Sequence, residues 1–214
     1  MKNITDILLF FCFAFFVFIS CEEQELEIDN LSPSVSAKFV NADSLQKLDV
    51  LIADINEQIA QITDSSEVLD SLIDSGDPID YSANFESLDD KEDSLKSAKS
   101  TYNSVKTTIN SGLLLVDQIT GSGADALTFD GDSLTGYNLP LDVRSDFSEL
   151  LIEIQGNAYS VNFSYQRDTI LAEGAIIIEA NNLNIVNATG FDSVYFFCDT
   201  INCNSNEASA TFFF

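Results

Sequence analysis

The order of apolar and polar residues changes character three times along the chain. Ile7 to Ile19 is an almost unbroken apolar run, preceded by the positive Lys2 and followed by Ser20-Cys21. A run of this length suits the core of a secretory signal and falls short of the ~20 residues that span a bilayer as a permanent helix. From Leu45 the apolar residues Leu45, Leu48, Ile52, Ile55, Ile59 and Ile62 are spaced 3, 4, 3, 4, 3, and the register continues through Ser66, Leu69 and Ile73. This heptad seam predicts a helix that starts near Ala42 or Asp43 and stops at Asp74-Ser75-Gly76-Asp77-Pro78. Asp64-Ser65-Ser66-Glu67 resembles a capping box, so the alternative is two shorter helices. A second series, Leu88, Leu95, Ala98, Tyr102, Val105 and Ile109, ends at Asn110-Ser111-Gly112. Two such helices joined by a short Pro-containing turn predict an antiparallel hairpin with arms of roughly 40 Å at ~1.5 Å per residue. Leu51 and Leu72 widen the apolar stripe beyond a narrow seam, as a helix in contact with a third element would need. The hairpin therefore reads either as a stalk or partner-binding coiled coil, or as a layer packed on its own domain.

After Gly121 the period shortens. Tyr159, Val161, Phe163 and Tyr165 alternate with polar residues, and Leu150–Ile154, Ala175–Ile178, Leu183–Val186, Val194–Phe197 and Thr211–Phe214 are β-branched or aromatic runs punctuated by Gly, Asn and Asp. Six to eight short strands in this stretch fit a small antiparallel sandwich or barrel, and the sandwich-like form is the one expected. The terminal Phe212-Phe213-Phe214 is expected to be its last strand, since the alternation is not sustained over the ~10-residue segments of a membrane barrel. The fold class is thus α+β, with residues 1–20 a signal, 21–41 an acidic flexible tether, 42–119 the hairpin and 120–214 the β-sandwich-like domain.

Charge and composition narrow the chemistry. The chain has 9 basic and 35 acidic residues; with the signal Lys2 and Asp6 leave, so 8 and 34 remain and the net charge stays at −26. Nucleic-acid binding, which needs clustered Lys and Arg, is not expected. There is no His and no Trp. Nucleophile systems built on His and the common His-bearing zinc sites are therefore excluded. Thr120-Gly121-Ser122-Gly123-Ala124-Asp125-Ala126-Leu127, followed by Asp130-Gly131-Asp132, resembles one calcium-binding nonapeptide, but such repeats hold ions only when stacked. No metal site, cofactor or catalytic residue is expected, and the acidic residues read mostly as a solvated surface.

Phe18-Ile19-Ser20-Cys21 resembles the lipobox of bacterial lipoproteins, with Phe18 where that family prefers Leu, Val or Ile. The resemblance implies that the Cys21 thiol receives a diacylglycerol and that cleavage makes Cys21 the new N-terminus. Glu22-Glu23-Gln24-Glu25-Leu26-Glu27 looks like the acidic tether that sorts Bacteroidetes lipoproteins to the outer membrane, often to the cell surface. Each buried methylene contributes about 0.8 kcal/mol, so two or three acyl chains would anchor the protein without spanning.

Cys12 would leave with the signal and Cys21 would carry the lipid, which leaves Cys198 and Cys203 as a candidate disulfide in an exported protein. Asp-Ser/Thr followed by an aliphatic residue recurs seven times, offering the hydroxyls of Ser44, Ser71, Ser94, Ser133, Thr169, Ser193 and Thr200. Chance placement predicts about one or two. The triplet looks like the O-glycosylation acceptor of exported Bacteroidetes proteins; the structural alternative is that Asp-Ser favours helix starts and turns while the aliphatic residue enters a core. The expected role is that of a non-enzymatic structural or interaction module held at the membrane by lipid, whose partner, protein or glycan, the sequence does not identify. The alternative is a ligand- or glycan-binding accessory of an outer-membrane transport system, which would need an exposed Tyr/Phe platform.

Overall fold

In the computed structural model, which describes residues 33–121, 127–128, 132–172 and 175–214, the heptad residues fold as an antiparallel helical hairpin, α1 (Ala42–Asp74) and α2 (Ser82–Ser111). Asn41 caps α1 by accepting the Ser44 N–H on its side-chain oxygen at 2.8 Å, satisfying one of the donors that a helix start leaves free. The helix runs unbroken through Asp64–Glu67. It ends in a Schellman arrangement: Gly76, at φ +83°, donates to the Ile73 carbonyl, and Asp77 donates to that of Leu72. The turn is held by Asp77, which accepts from the Ile79 N–H and the Tyr81 hydroxyl. Gly112 ends α2 with φ +79°; a Cβ there would lie 2.6 Å from Cγ of Lys38, so this residue must be small as well as left-handed.

The β domain follows the hairpin, with one strand ahead of it. Residues 21–41 were expected to form a tether, yet Ser34–Val40 is strand β1. Val35, Ala37 and Phe39 are fully buried on one face of it. Strands β2 (Gln118–Gly121), β3 (Leu127–Thr128), β4 (Tyr137–Pro140), β5 (Phe147–Ile154), β6 (Asn157–Ala172), β7 (Ala175–Thr189), β8 (Ser193–Cys198) and β9 (Ala208–Phe213) complete two sheets. Their orders are β4-β1-β9-β8 and β3-β2-β5-β6-β7. Pairing between β1 and β9 is parallel, with Phe39 opposite Phe212, so the first sheet is mixed where an antiparallel one was expected. The predicted runs Ala175–Ile178 and Leu183–Val186 are parts of the single long strand β7.

One core joins the sheets. Phe39, Leu139 and Phe212 from the first meet Ile119, Leu150, Ile152, Val161 and Phe163 from the second, an arrangement of inward-facing alternate residues that makes the domain sandwich-like. Phe39, Phe191, Phe212 and Tyr159 stack through it with ring centroids 4.7 to 6.2 Å apart.

The hairpin stays largely outside this core. Only Leu48 and Ile55 of α1 are buried, and no residue of α2 is. In α2 the half-buried positions include Phe85, Leu88, Leu95, Tyr102 and Ile109, while Val105, expected in the seam, is exposed. Lys106 turns inward beside it and pairs with Asp49 across the hairpin. By compactness the chain divides into one unit of Ser32–Asp168 and Ile178–Phe214, and a second of Met1–Leu31 and Thr169–Ile177. The described part of the second comprises residues 169–172 of β6 and 175–177 of β7, where Ile170, Leu171 and Ile176 are exposed.

Candidate functional site

The outward face of the four-stranded sheet carries the most exposed aromatic pair among the described residues of the β domain. On β8 the side chains alternate, and Tyr195 and Phe197 point away from the core with 63% and 49% of their surfaces exposed. Register fixes what lies beside them. Phe197 is opposite Ser209, Ser209 opposite Ser36 and Ser36 opposite Asn138; in the adjacent row Tyr195 faces Thr211, which faces Lys38. Directly opposite residues in a sheet have Cβ atoms about 4.5–5.5 Å apart. Two rings on an edge strand therefore give way to a field of hydroxyls, one amide and one ammonium. Small polar neighbours leave the rings standing proud. The arrangement can offer flat apolar contact and hydrogen bonds together. Sequence patterning alone does not single it out, because Val194-Tyr195-Phe196-Phe197 is apolar at both phases of the alternation.

A joint beside this face ties the two sheets together. Cys198 and Cys203 form a disulfide with Cα atoms 5.5 Å apart. The segment it closes runs past β7, where the N–H groups of Asn182 and Leu183 donate to the carbonyls of Asn202 and Cys203 at 2.5 and 3.1 Å. Asn204 adds bonds from its amide to Asn181 and Glu179. Asn182 and Cys203 both have positive φ, a left-handed kink that residues other than Gly adopt when surrounding bonds hold it.

The buried hydroxyl cluster of the domain is structural. Ser148 Oγ lies 2.7 Å from the Tyr165 hydroxyl and accepts from the Asp142 N–H at 2.7 Å, while the Tyr165 hydroxyl donates to the Asp142 carbonyl at 2.8 Å. Since the tyrosine proton is committed to that carbonyl, Ser148 donates to the tyrosine oxygen and every partner is accounted for. Burial raises the Tyr165 pKa above the ordinary tyrosine value, the hydrogen bond from Ser148 partly opposing it. No base stands ready to activate the serine.

Of the remaining expected sites, Ser193 stands on the same outward row of β8, two residues before Tyr195. Among the seven Asp-Ser/Thr triplets, Ser71, Ser94, Ser133, Thr169, Ser193 and Thr200 are exposed and Ser44 is half-buried. Ser71 and Ser94 lie within helices, Thr169 within a strand, Ser193 at a strand start, and Ser133 and Thr200 in loops. No residue in the third position of the triplet is buried; Ile201 and Leu72, for example, are exposed. Six of the seven triplets thus share accessibility, and the set has no common conformation. Cys21 lies outside the described residues, as do residues 122–126 and 129–131 of the Gly/Asp loop. Among the described residues no three Cys, Asp or Glu side chains converge as metal ligands, and no helix is long and apolar enough to cross a membrane. Comparison of the chain with protein-family models, curated proteins and solved structures finds no match.

Proposed function

We propose that the protein is a lipid-anchored interaction module of a Bacteroidetes-type outer envelope, held through Cys21 and acting without catalysing a reaction. The observation that carries this is the succession of apolar run, Ser20-Cys21 and acidic string at the start of the chain. The rest of the molecule suits it. Residues 22–33 precede β1, enough chain to reach about 40 Å when extended, and beyond them a hairpin with little burial of its own stands beside a well-filled core. Glycans on the triplets belong to the same reading, supported by the exposure of Ser71, Ser94, Ser133, Thr169, Ser193 and Thr200.

Native cells expressing the full chain test the proposal. Mass spectrometry of the N-terminal peptide is expected to find a chain that starts at Cys21 with diacylglycerol and acyl additions, and Cys21→Ser is expected to shift the protein out of the outer-membrane fraction. An unmodified Cys21, or an undisturbed distribution of the variant, would overturn the anchor. Peptide mapping is expected to find added hexose mass on several of Ser71, Ser94, Ser133, Ser193 and Thr200; bare peptides at all of them would remove the glycan part alone.

A second reading, binding of a glycan or similar ligand, is favoured by Tyr195 and Phe197 above Ser209, Thr211 and Asn138. Aromatic faces give sizeable apolar contact at low entropic cost, and flanking polar groups fix orientation. Soluble envelope oligosaccharides are expected to raise the melting temperature of the wild type and leave that of Tyr195→Ala/Phe197→Ala unchanged. Equal shifts in both proteins would locate the binding elsewhere.

A further inference from the structure

The two halves of the hairpin differ in charge. Residues 42–63 and 94–111, which form its base, hold four acidic side chains and four lysines. Residues 64–93, which form its tip, hold eleven acidic side chains and a single lysine, Lys91. Within the tip, Val68 and Leu72 lie one turn apart on α1, and Val68 and the turn residue Ile79 are each 60% exposed. A groove between the helices opens at the same place, lined by Val68, Leu69, Ala83 and Leu88 with Ser65 and Lys91 at its margins. A two-helix hairpin can bury its seam from one side only, so these apolar residues keep a free face. Groove, exposed aliphatics and acidic rim therefore coincide in one half of one element.

We propose that the hairpin tip is a docking surface for a basic amphipathic helix of a partner protein, its apolar side seated against Val68, Leu69 and Leu72 and its Lys and Arg side chains over the acidic rim. Helix-in-groove binding takes apolar anchors at i, i+3/i+4 and i+7 from the ligand, and complementary charge accelerates encounter and rejects wrong partners. A second copy of this chain is the poorer occupant, because each tip brings a net −10 to the contact, eleven acids against one lysine, and like charges juxtaposed are costly. An anionic membrane is disfavoured for the same reason. The inference rests on the reading of the protein as an interaction module and is independent of the lipid: its failure would leave the acylation of Cys21 standing, and an unacylated Cys21 would leave this surface intact.

The test uses the mature chain from residue 21 with Cys21→Ser, which contains every described residue, and three synthetic peptides of roughly five helical turns: an amphipathic Leu/Lys helix, its Leu/Glu counterpart, and a Ser/Lys peptide of the same charge as the first. Fluorescence anisotropy is expected to show saturable, salt-sensitive binding of the Leu/Lys helix and none of the Leu/Glu helix. Binding of the Ser/Lys peptide is expected to be weaker by about tenfold or more, a loss of about 1.4 kcal/mol. Val68→Ser/Leu72→Ser is expected to weaken the Leu/Lys helix by a similar factor, whereas Val50→Ser in the base half leaves it unchanged. Circular dichroism checks that the variants fold; if the double variant does not, Asp70→Asn/Asp74→Asn decides instead, with the same weakening expected. Equal affinity for the Ser/Lys peptide, an unchanged affinity in the deciding variant, preferential capture of phosphatidylglycerol vesicles, or self-association that the Leu/Lys helix fails to disrupt would each overturn the proposal.

Discussion

The Tyr165 hydroxyl shows how much a single atom can decide. It holds Ser148 and the Asp142 carbonyl at the point where the chain turns into β5. Tyr165→Phe would leave the Ser148 hydroxyl and that carbonyl without this partner in a dry setting, where an unsatisfied group costs about 1–3 kcal/mol; a fall of that size in urea-denaturation free energy is the expected result. Nearby, Arg167 donates from Nε to Asp146 at 2.6 Å and from Nη1 to the Val143 carbonyl at 3.1 Å. The hydrogen bond from Arg167 holds the Asp146 carboxyl below the ordinary aspartate range. A group with a depressed folded pKa stabilises above its unfolded value and loses that contribution as pH falls through the folded one. Arg167→Gln is therefore expected to flatten the acid limb of the stability profile below the ordinary aspartate range, measured by thermal melts across pH, and the exposure of the pair keeps the effect small.

Between elements, the hairpin and the sheets draw on different sources of stability. The sheets bury Phe39, Phe163 and Phe212 completely, and Phe212→Ala is expected to cost about 3–5 kcal/mol. An equilibrium denaturation series would read this directly. The hairpin has a side-chain cap at the start of α1, left-handed glycine stops at Gly76 and Gly112 and a half-buried seam, with ion pairs such as Lys96 with Glu92 that contribute little at an exposed site. Native-state hydrogen exchange should accordingly find the amides of α2 opening at lower free energy than those of β5 and β9. Protection of the hairpin equal to that of the core would mean that it unfolds only with the rest of the domain. The helices themselves were legible in the sequence, since Leu45 to Ile73 keeps one period throughout. The α2 register was legible only in part: Val105 and Lys106 are adjacent, and apolarity alone favours the wrong one.

Over the full length of the chain, β1 brings distant segments together. It pairs in parallel with β9 at the centre of its sheet, and it runs directly into α1, so the preceding residues and the hairpin attach at opposite ends of a strand about 20 Å long. The tip proposed as a docking surface thus belongs to the element that follows directly from the C-terminal end of β1. On the far side of the domain the Cys198–Cys203 segment fastens β8 to β7 of the other sheet. A cross-link closing so short a loop contributes about 2 kcal/mol. Cys198→Ser/Cys203→Ser is expected to lower the unfolding free energy by about that amount. An undiminished stability would show that the hydrogen bonds of Asn182 and Leu183 hold the joint unaided.

Features that repeat over short distances could be read from the residues directly: the heptads of the hairpin, its Gly76 and Gly112 stops, the alternation from Tyr159 to Tyr165, and the surplus of acidic residues. Each is written in neighbouring residues and needs no distant partner to be read. Long-range pairing settled the others. Ser34–Val40 is a strand because β4 and β9, far away in the chain, pair with it on either side, and because Ile152, Val161 and Phe163 of the other sheet share the core into which Val35, Ala37 and Phe39 are buried; without them, seven residues beside an acidic string carry no period long enough to distinguish strand from linker. The Tyr195–Phe197 face is likewise a property of register, since only pairing with β9 sends these two rings outward and Val194 and Phe196 inward. Separation in sequence hid both, and the hydrogen-bonded sheet, which joins distant segments, brings them together.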